Sequence, residues 1–478
     1  MPPIKKLKTA HEQNDDDETG HEIRQLLVLS KTPSINIDLS NITKLDLFQA
    51  GLNSLPTTLP KHLPNLSILF CMKNQFVEVP AVVGECKKLQ MVGFKSNQIT
   101  HIHPEALQPQ MRWLILTDNK ITSLPSTIGR CKKLQKFMLS GNLIEELPGE
   151  ISLCHNLELI RLASNRLKSA PLELLGLPNL SWVALSDNPF LSSACETNRN
   201  NEEEEEHHHL KLFKDDNLDD ASLGTELGRG ASGVTRKFVT RLSLSEETET
   251  STGTGTETES IEAVAVKEYS SAITSDGNPQ EERKVSMIAS SLGCSSLVKV
   301  LGRTNKGNLI MELLKDYKVF ANSPSLESCS RDVYDDEDFR SSFTEKRAVA
   351  MVGQLLFALL KLHERGICHG DFYGHNILIS NKDEERVWLT DFGAAFFYDG
   401  STSYGKAIQK IERRAFGHLV KEIAELLKES SSPSLSDGDS DPGTDHQGLK
   451  WKLMQFASTC HELTFEELHK QWIDLDIK

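Results

Sequence analysis

From residue 42 to residue 190 the apolar positions return in one order, L-x-x-L-x-L-x-x-N-x-L-x-x-L-P. The asparagine of that pattern falls at Asn74, Asn97, Asn119, Asn142, Asn165 and Asn188, with Ala50 in its role at the start, so the steps are 24, 23, 22, 23, 23 and 23 residues. The alternating pair in each unit, such as Leu114-x-Leu116 or Phe137-x-Leu139, predicts a short strand with one face turned inward. The asparagine is placed to satisfy backbone groups where the strand ends. One unit cannot bury its own leucines, whereas stacked units share a continuous core beneath a curved parallel sheet. The strand residues that point away from this core include Ile68, Phe70, Met72, Met91, Trp113, Ile115, Met138, Leu159 and Trp182. Such an apolar column predicts a surface on which a protein substrate or regulator docks, with Phe70, Met91, Trp113, Met138 and Trp182 at its centre. The competing reading is that part of the column meets the other half of the chain.

The carboxy-terminal half has no comparable period. It carries short motifs in a fixed order: Leu227-Gly228-Arg229-Gly230-Ala231-Ser232-Gly233, then Val264-Ala265-Val266-Lys267, then Leu309-Ile310-Met311-Glu312. His369-Gly370-Asp371 follows, with Asn376 five residues after the aspartate, and then Asp391-Phe392-Gly393. A glycine motif alone could be no more than a turn; the ordered series carries the reading.

The repeats resemble the leucine-rich-repeat family in its short intracellular form, and residues 223 to 478 resemble the protein kinases. The fold class implied is a multidomain chain: an α/β leucine-rich-repeat solenoid of about seven units, followed by a two-lobed α+β protein-kinase-like domain. The kinase resemblance implies ATP and Mg²⁺ as cofactors and a phosphoryl transfer run by positioning and charge compensation. Gly228, Gly230 and Gly233 would let the backbone of the loop, with Arg229, Ala231 and Ser232, approach the phosphates without Cβ collisions. Leu227 and either Val234 or Thr235 would roof the adenine, Ala265 and Met311 would lie around it, and Glu312 to Leu314 would read it from a hinge. Lys267 would sit on the α- and β-phosphates, Asp391 and Asn376 would hold Mg²⁺, and Asp371 would accept the proton of the substrate hydroxyl. Lys267 needs a carboxylate from the following helix. Glu281 is preferred over Glu282, since Val285 and Ile288 follow it at +4 and +7, although Asn278-x-x-Glu281 also fits a capping box.

The pattern departs from that of most kinases in three places. Tyr373 stands where a lysine usually reaches the γ-phosphate, and Gly370 replaces the arginine that pairs with a phosphorylated activation loop. The segment after Gly393 is short and lacks Ala-Pro-Glu, with Glu412 to Gly417 resembling the start of a buried helix found further downstream in kinases. Two readings from different classes stay open: an active kinase acting on serine or threonine, and a pseudokinase scaffold that binds nucleotide and partners without phosphotransfer.

Composition narrows this further. The 478 residues carry a formal charge of −15, yet residues 41–190 hold 15 basic and 11 acidic side chains. The excess acid therefore lies elsewhere, and a nucleic-acid-coating role is not expected. Nine cysteines without a CxxC pair predict reduced thiols, and Cys86, Cys131 and Cys154, each three residues before a repeat leucine, predict buried packing. No apolar run reaches the length of a membrane span, and a cytoplasmic location is expected. The predicted organisation is a tail and repeat cap over 1–40, repeats over 41–190, an acidic linker over 191–221 and the kinase-like domain over 222–478. Within that domain, hydrated insertions are expected at 241–262 and 429–446.

Overall fold

The computed structural model describes residues 40–191, 211–213, 224–230, 232–243, 259–269, 273–334, 337–428 and 448–475. The amino-terminal tail, most of the acidic linker, Ala231 and the second insertion lie outside the described residues.

Seven short strands form one parallel sheet: β1 (Lys44–Asp46), β2 (Ile68–Phe70), β3 (Met91–Gly93), β4 (Trp113–Ile115), β5 (Lys136–Met138), β6 (Leu159–Arg161) and β7 (Trp182–Ala184). Their middle residues, among them Leu69, Leu114, Phe137 and Val183, point into the core and are at most 3% exposed. Fully burying each such side chain is worth roughly 1.5–3 kcal/mol. The asparagines stitch one unit to the next. Asn119 accepts from Ile99 N–H at 3.0 Å and donates to the carbonyls of Phe94 and Leu116 at 2.9 and 3.0 Å, and Asn142, Asn165 and Asn188 repeat the arrangement. The residue before each asparagine takes a left-handed turn, with φ of 59° at Asp118 and 70° at Gly141. Cys86, Cys131 and Cys154 are buried free thiols, pushed up to about 11, 12 and 11 chiefly by burial. They pack rather than react.

The second half is two-lobed. Its smaller lobe is a six-stranded sheet of β8 (Lys211–Phe213), β9 (Thr225–Arg229), β10 (Gly233–Ser243), β11 (Glu259–Tyr269), β12 (Val300–Thr304) and β13 (Leu309–Glu312), in the order β8-β12-β13-β11-β10-β9. Two expectations change here. Part of the presumed linker supplies the edge strand β8, and the first insertion is narrower than expected, because Arg241 to Ser243 pair with Glu259 to Ile261 as a continued hairpin. Helix α1 (Pro279–Ser291) follows, with Pro279 in its first turn and the Asn278 side chain accepting from Gln280 N–H at 2.9 Å. The larger lobe contains α2 (Glu345–Glu364), α3 (Ser403–Leu426), α4 (Leu449–Thr459) and α5 (Phe465–Asp474), with a sheet of β14 (Tyr317–Val319), β15 (Ile377–Ser380) and β16 (Val387–Leu389). Among the described residues no helix is long and apolar enough to cross a membrane.

The halves share their cores. Cys368, Phe396, Tyr398, Ile408 and Ile411 join the repeat leucines, while Leu159 and Trp182 of the repeat sheet join the core of the larger lobe.

Candidate active site

Between the two lobes lies a cavity of about 340 Å³, lined by Leu227, Gly228, Arg229, Gly230, Gly233, Thr235, Ala265, Lys267, Met311, Glu312 and Leu314, with Glu282, Asn376, Leu378 and Asp391. Strand β11 delivers Lys267 between Thr235 of β10 and Leu309 of β13. Its ammonium pairs with Glu282 and lies 4.0 Å from Asp391 Oδ1. Burial works against that charge, but Glu282 and then Asp391 outweigh it and hold the lysine pKa above its ordinary value.

The expected partner, Glu281, is not the one. It pairs with Lys284 at 2.8 Å, because the buried face of α1 runs through Glu282, Val285 and Ala289, all at most 2% exposed. One residue along a helix is a turn of about 100°. Val234 is likewise corrected: it is buried but does not line the cavity, whereas its neighbour Thr235 does. Strand alternation sends the two to opposite faces. Ser232 is buried and also absent from the lining.

The donor set suits a hard cation with phosphate. Asp391, with φ of 59°, keeps its side chain 44% exposed. Asn376 spends its amide N–H groups on the Asp371 carbonyl at 2.8 Å and Oδ2 at 3.0 Å, which turns its own oxygen into the group available to a metal. A Cβ on Gly230 would lie 3.8 Å from Asp391 Oδ2, so the glycine loop passes over that carboxylate at van der Waals distance. No cluster of three His, Cys, Asp or Glu side chains fit to hold a metal occurs among the described residues. Two protein oxygens completed by phosphate and water is the usual magnesium arrangement.

The loop bearing Asp371 is anchored from behind. Glu412 of α3, 1% exposed, accepts from the backbone N–H groups of His369 at 3.0 Å and Gly370 at 2.7 Å and lies 2.7 Å from His363 Nε2. At the front, Asp371 receives Arg161 on Oδ1 and Asn376 on Oδ2. Burial alone would push the Asp371 carboxyl up; Arg161, then His375 and His369, hold it below the usual range.

Comparison with known families meets this geometry. The family described as protein kinase domain matches residues 250–412, and that described as leucine rich repeat matches residues 109–167. The chain carries leucine-rich repeats followed by a protein kinase domain. Over 203 residues it is 25% identical to a probable myosin light chain kinase of Dictyostelium discoideum, covering 40% of this chain and 44% of that one. Over 243 residues it is 26% identical to calcium-dependent protein kinase 9 of Arabidopsis thaliana, covering 48% of this chain and 38% of that one. A solved leucine-rich-repeat protein of Leptospira interrogans is 31% identical with a TM-score of 0.30, covering 35% of this chain and 39% of that one. The chain spans less than half the length of each of these relatives.

The kinase domain and the repeats meet across the concave sheet, which corrects the docking expectation at its carboxy-terminal end. Trp182 stacks on Tyr373 with centroids 4.1 Å apart and donates from Nε1 to the Phe372 carbonyl at 3.0 Å. Met138 and Leu159 pack into the large-lobe core beside it. These side chains serve the chain's own kinase domain, the reading that competed with an external partner. Val183 N–H donates to the Gly370 carbonyl at 3.1 Å, Ser140 Oγ to the Ser275 carbonyl at 2.9 Å, and Arg331 pairs with Glu158 at 3.1 Å.

Sequence reasoning missed Glu412, Leu378 and above all Arg161. A signal for Arg161 was present. The strand register places Asp46, Phe70, Gly93, Ile115, Met138, Arg161 and Ala184 in one row. In an otherwise apolar stretch of that row, Arg161 is the one cation.

Proposed function

We propose that the chain is an ATP- and Mg²⁺-dependent protein kinase that transfers the γ-phosphate to serine or threonine hydroxyls of a protein. The observation that carries the reading is the convergence of Lys267, Asp391 and Asn376 on one cleft, with Lys267 4.0 Å from Asp391 and Asp371 bonded to Asn376 just outside the lining. Lys267, held by Glu282, is the cation for the α- and β-phosphates, and the hinge from Glu312 to Leu314 offers backbone groups to adenine beside Met311. Asp371, kept ionised, orients the acceptor hydroxyl and takes its proton. Bound Mg²⁺ would neutralise phosphate charge, and Asp391 and Asn376 are the residues that would hold it. The two kinases matched at 25% and 26% identity support a protein acceptor.

A scaffold without phosphotransfer is the second reading, favoured by Tyr373 at the usual lysine position and by the close cover over Asp371. Labelled ATP with Mg²⁺ separates the two. Incorporation by wild type should fall at least about 100-fold in Asp371→Ala and in Lys267→Met. Equal background in all three proteins would establish the scaffold.

A further inference from the structure

We infer that Arg161, from the sixth strand of the repeat sheet, is the positioning residue for the catalytic carboxylate of Asp371, so that the repeat array forms a third wall of the active site. This rests on the kinase reading above and adds a residue from outside the kinase domain.

Arg161 is 2% exposed and reaches both lobes. Its Nη1 donates to the Gly370 carbonyl at 3.0 Å, its Nη2 to Asp371 Oδ1, and its Nε lies 3.4 Å from Asp276 Oδ1 in the loop that leads into α1. A planar fork can serve two acceptors on the catalytic loop at once; an ammonium cannot reproduce that geometry. Among the described repeat residues, Lys136 and Arg161 are the buried cations, and both project from the concave face.

The two departures in the catalytic loop lie where the repeats touch it. Gly370 has φ of +73°, and a Cβ there would come within 2.4 Å of the Val183 carbonyl and 2.8 Å of the Ala394 carbonyl. The arginine common at this position has no room, because the backbone of β7 occupies it. Tyr373, where a lysine is common, is 4% exposed and lies flat against Trp182, with 7° between the ring planes. The loop has thus given up both of its own cations at the surface through which Arg161 enters. The same docking leaves Lys267 paired with Glu282 and close to Asp391, the arrangement phosphoryl transfer requires. A detachable cover would leave a loop able to stand on its own; this loop is shaped around the repeat strand, and its aromatic residues share a core with it.

The test uses the full chain with a protein acceptor, comparing wild type, Arg161→Gln, Arg161→Lys and Asp371→Ala. Cooperative melting reports folding, and the rise in melting temperature with ATP and Mg²⁺ reports nucleotide binding. Arg161→Gln should keep that rise and the KM for ATP while losing about 100-fold in kcat. Arg161→Lys should recover part of it, to within about tenfold of wild type. If Arg161→Gln does not fold, Arg161→Lys decides: a kcat below wild type at unchanged KM supports the role, and a kcat equal to or above wild type overturns it. A folded Arg161→Gln as active as wild type overturns it, and one more active shows an inhibitory plug instead. A wild type no more active than Asp371→Ala removes the kinase reading itself, and this role with it; an active wild type beside an indifferent Arg161 removes the role alone.

Discussion

The repeat half and the kinase half bury polar groups in opposite ways. The repeats bury neutral amides, Asn74, Asn119, Asn142, Asn165 and Asn188, each bonded to strand backbone on both sides. The kinase half buries ionisable groups: Glu282, Glu412, Asp332, His363 and Arg413 are all at most 8% exposed. Burial, with Arg331, Arg414 and Lys421, pushes His418 down to about 3. A repeat array needs only to continue its own period, and an amide that serves two backbones does so without any charge to desolvate. The cleft of the kinase domain instead brings like charges near one another, and counter-ions are hidden beside them. Lys136 and Arg161 break the rule for the repeats, and both do so on the face turned toward the kinase.

The sharpest way to break this comparison is to cut the junction between the halves. Trp182→Ala removes a 2%-exposed indole, its stack on Tyr373 and its bond to the Phe372 carbonyl. A loss of about 4 kcal/mol is expected. Calorimetry of wild type should show the halves melting together, because their cores are shared, while Trp182→Ala should separate a kinase transition from a repeat transition. A single unshifted transition in the variant would mean that the junction contributes little.

Within the repeats, Asn142→Ala strands Ile121 N–H, while the carbonyls of Leu116 and Leu139 each lose one donor and keep another, Asn119 and Asn165 respectively. One buried donor left unsatisfied costs roughly 2 kcal/mol. Since no titrating group is involved, the same loss should be measured in denaturant at pH 5 and at pH 8. A cost that changes with pH would show that the array is less neutral than its buried amides indicate.

What could be read from the chain follows the same division. The asparagine ladder and the inward leucines were legible because a period of about 23 residues repeats the same instruction. The meeting of Lys267, Asn376 and Asp391 in one cleft was legible because their motifs occur in a fixed order. Glu282 was not: the helix starts where Asn278-Pro279 puts it, but which of two adjacent glutamates faces inward depends on how the helix is rotated against the rest of the fold. The Arg161–Asp371 pair spans 210 residues, and neither half states which surface of the other will face it. The apolar concave column was visible, but its occupant was not, because hydrophobic surface does not encode whether its partner is another molecule or the same chain.

The smallest expected effect tests the charged side of the comparison. Glu422 of α3 accepts from the Tyr334 hydroxyl at 2.8 Å. Burial, then Asp332, raises its carboxyl to about 7, against the opposing pull of Tyr334 and Arg331, with Glu425 adding to the rise. The folded state therefore keeps a proton that the unfolded state releases at an ordinary carboxylate pKa. Below that ordinary value both states are protonated and nothing is lost; as pH rises toward 7 the unfolded chain is favoured, so stability falls. Glu422→Gln keeps an oxygen for Tyr334 and has no proton to lose. Because the side chain is only partly buried, solvent screening reduces the effect to on the order of 1–2 kcal/mol. The stability difference between Glu422→Gln and wild type should grow from near zero at pH 4.5 to that value by pH 7.5, read from urea midpoints. A difference that stays flat across this range would place the burden of pH dependence on other carboxylates, with Glu412 and its histidine contacts the next to examine. Unlike Glu422, Glu412 is held below its ordinary value, because His363, His369 and the Gly370 amide outweigh its burial. Its contribution runs the other way: present at neutral pH and lost as acid protonates it. Two carboxylates on one helix therefore tilt the kinase half in opposite directions, and the repeat half supplies the pH-independent baseline against which each is measured.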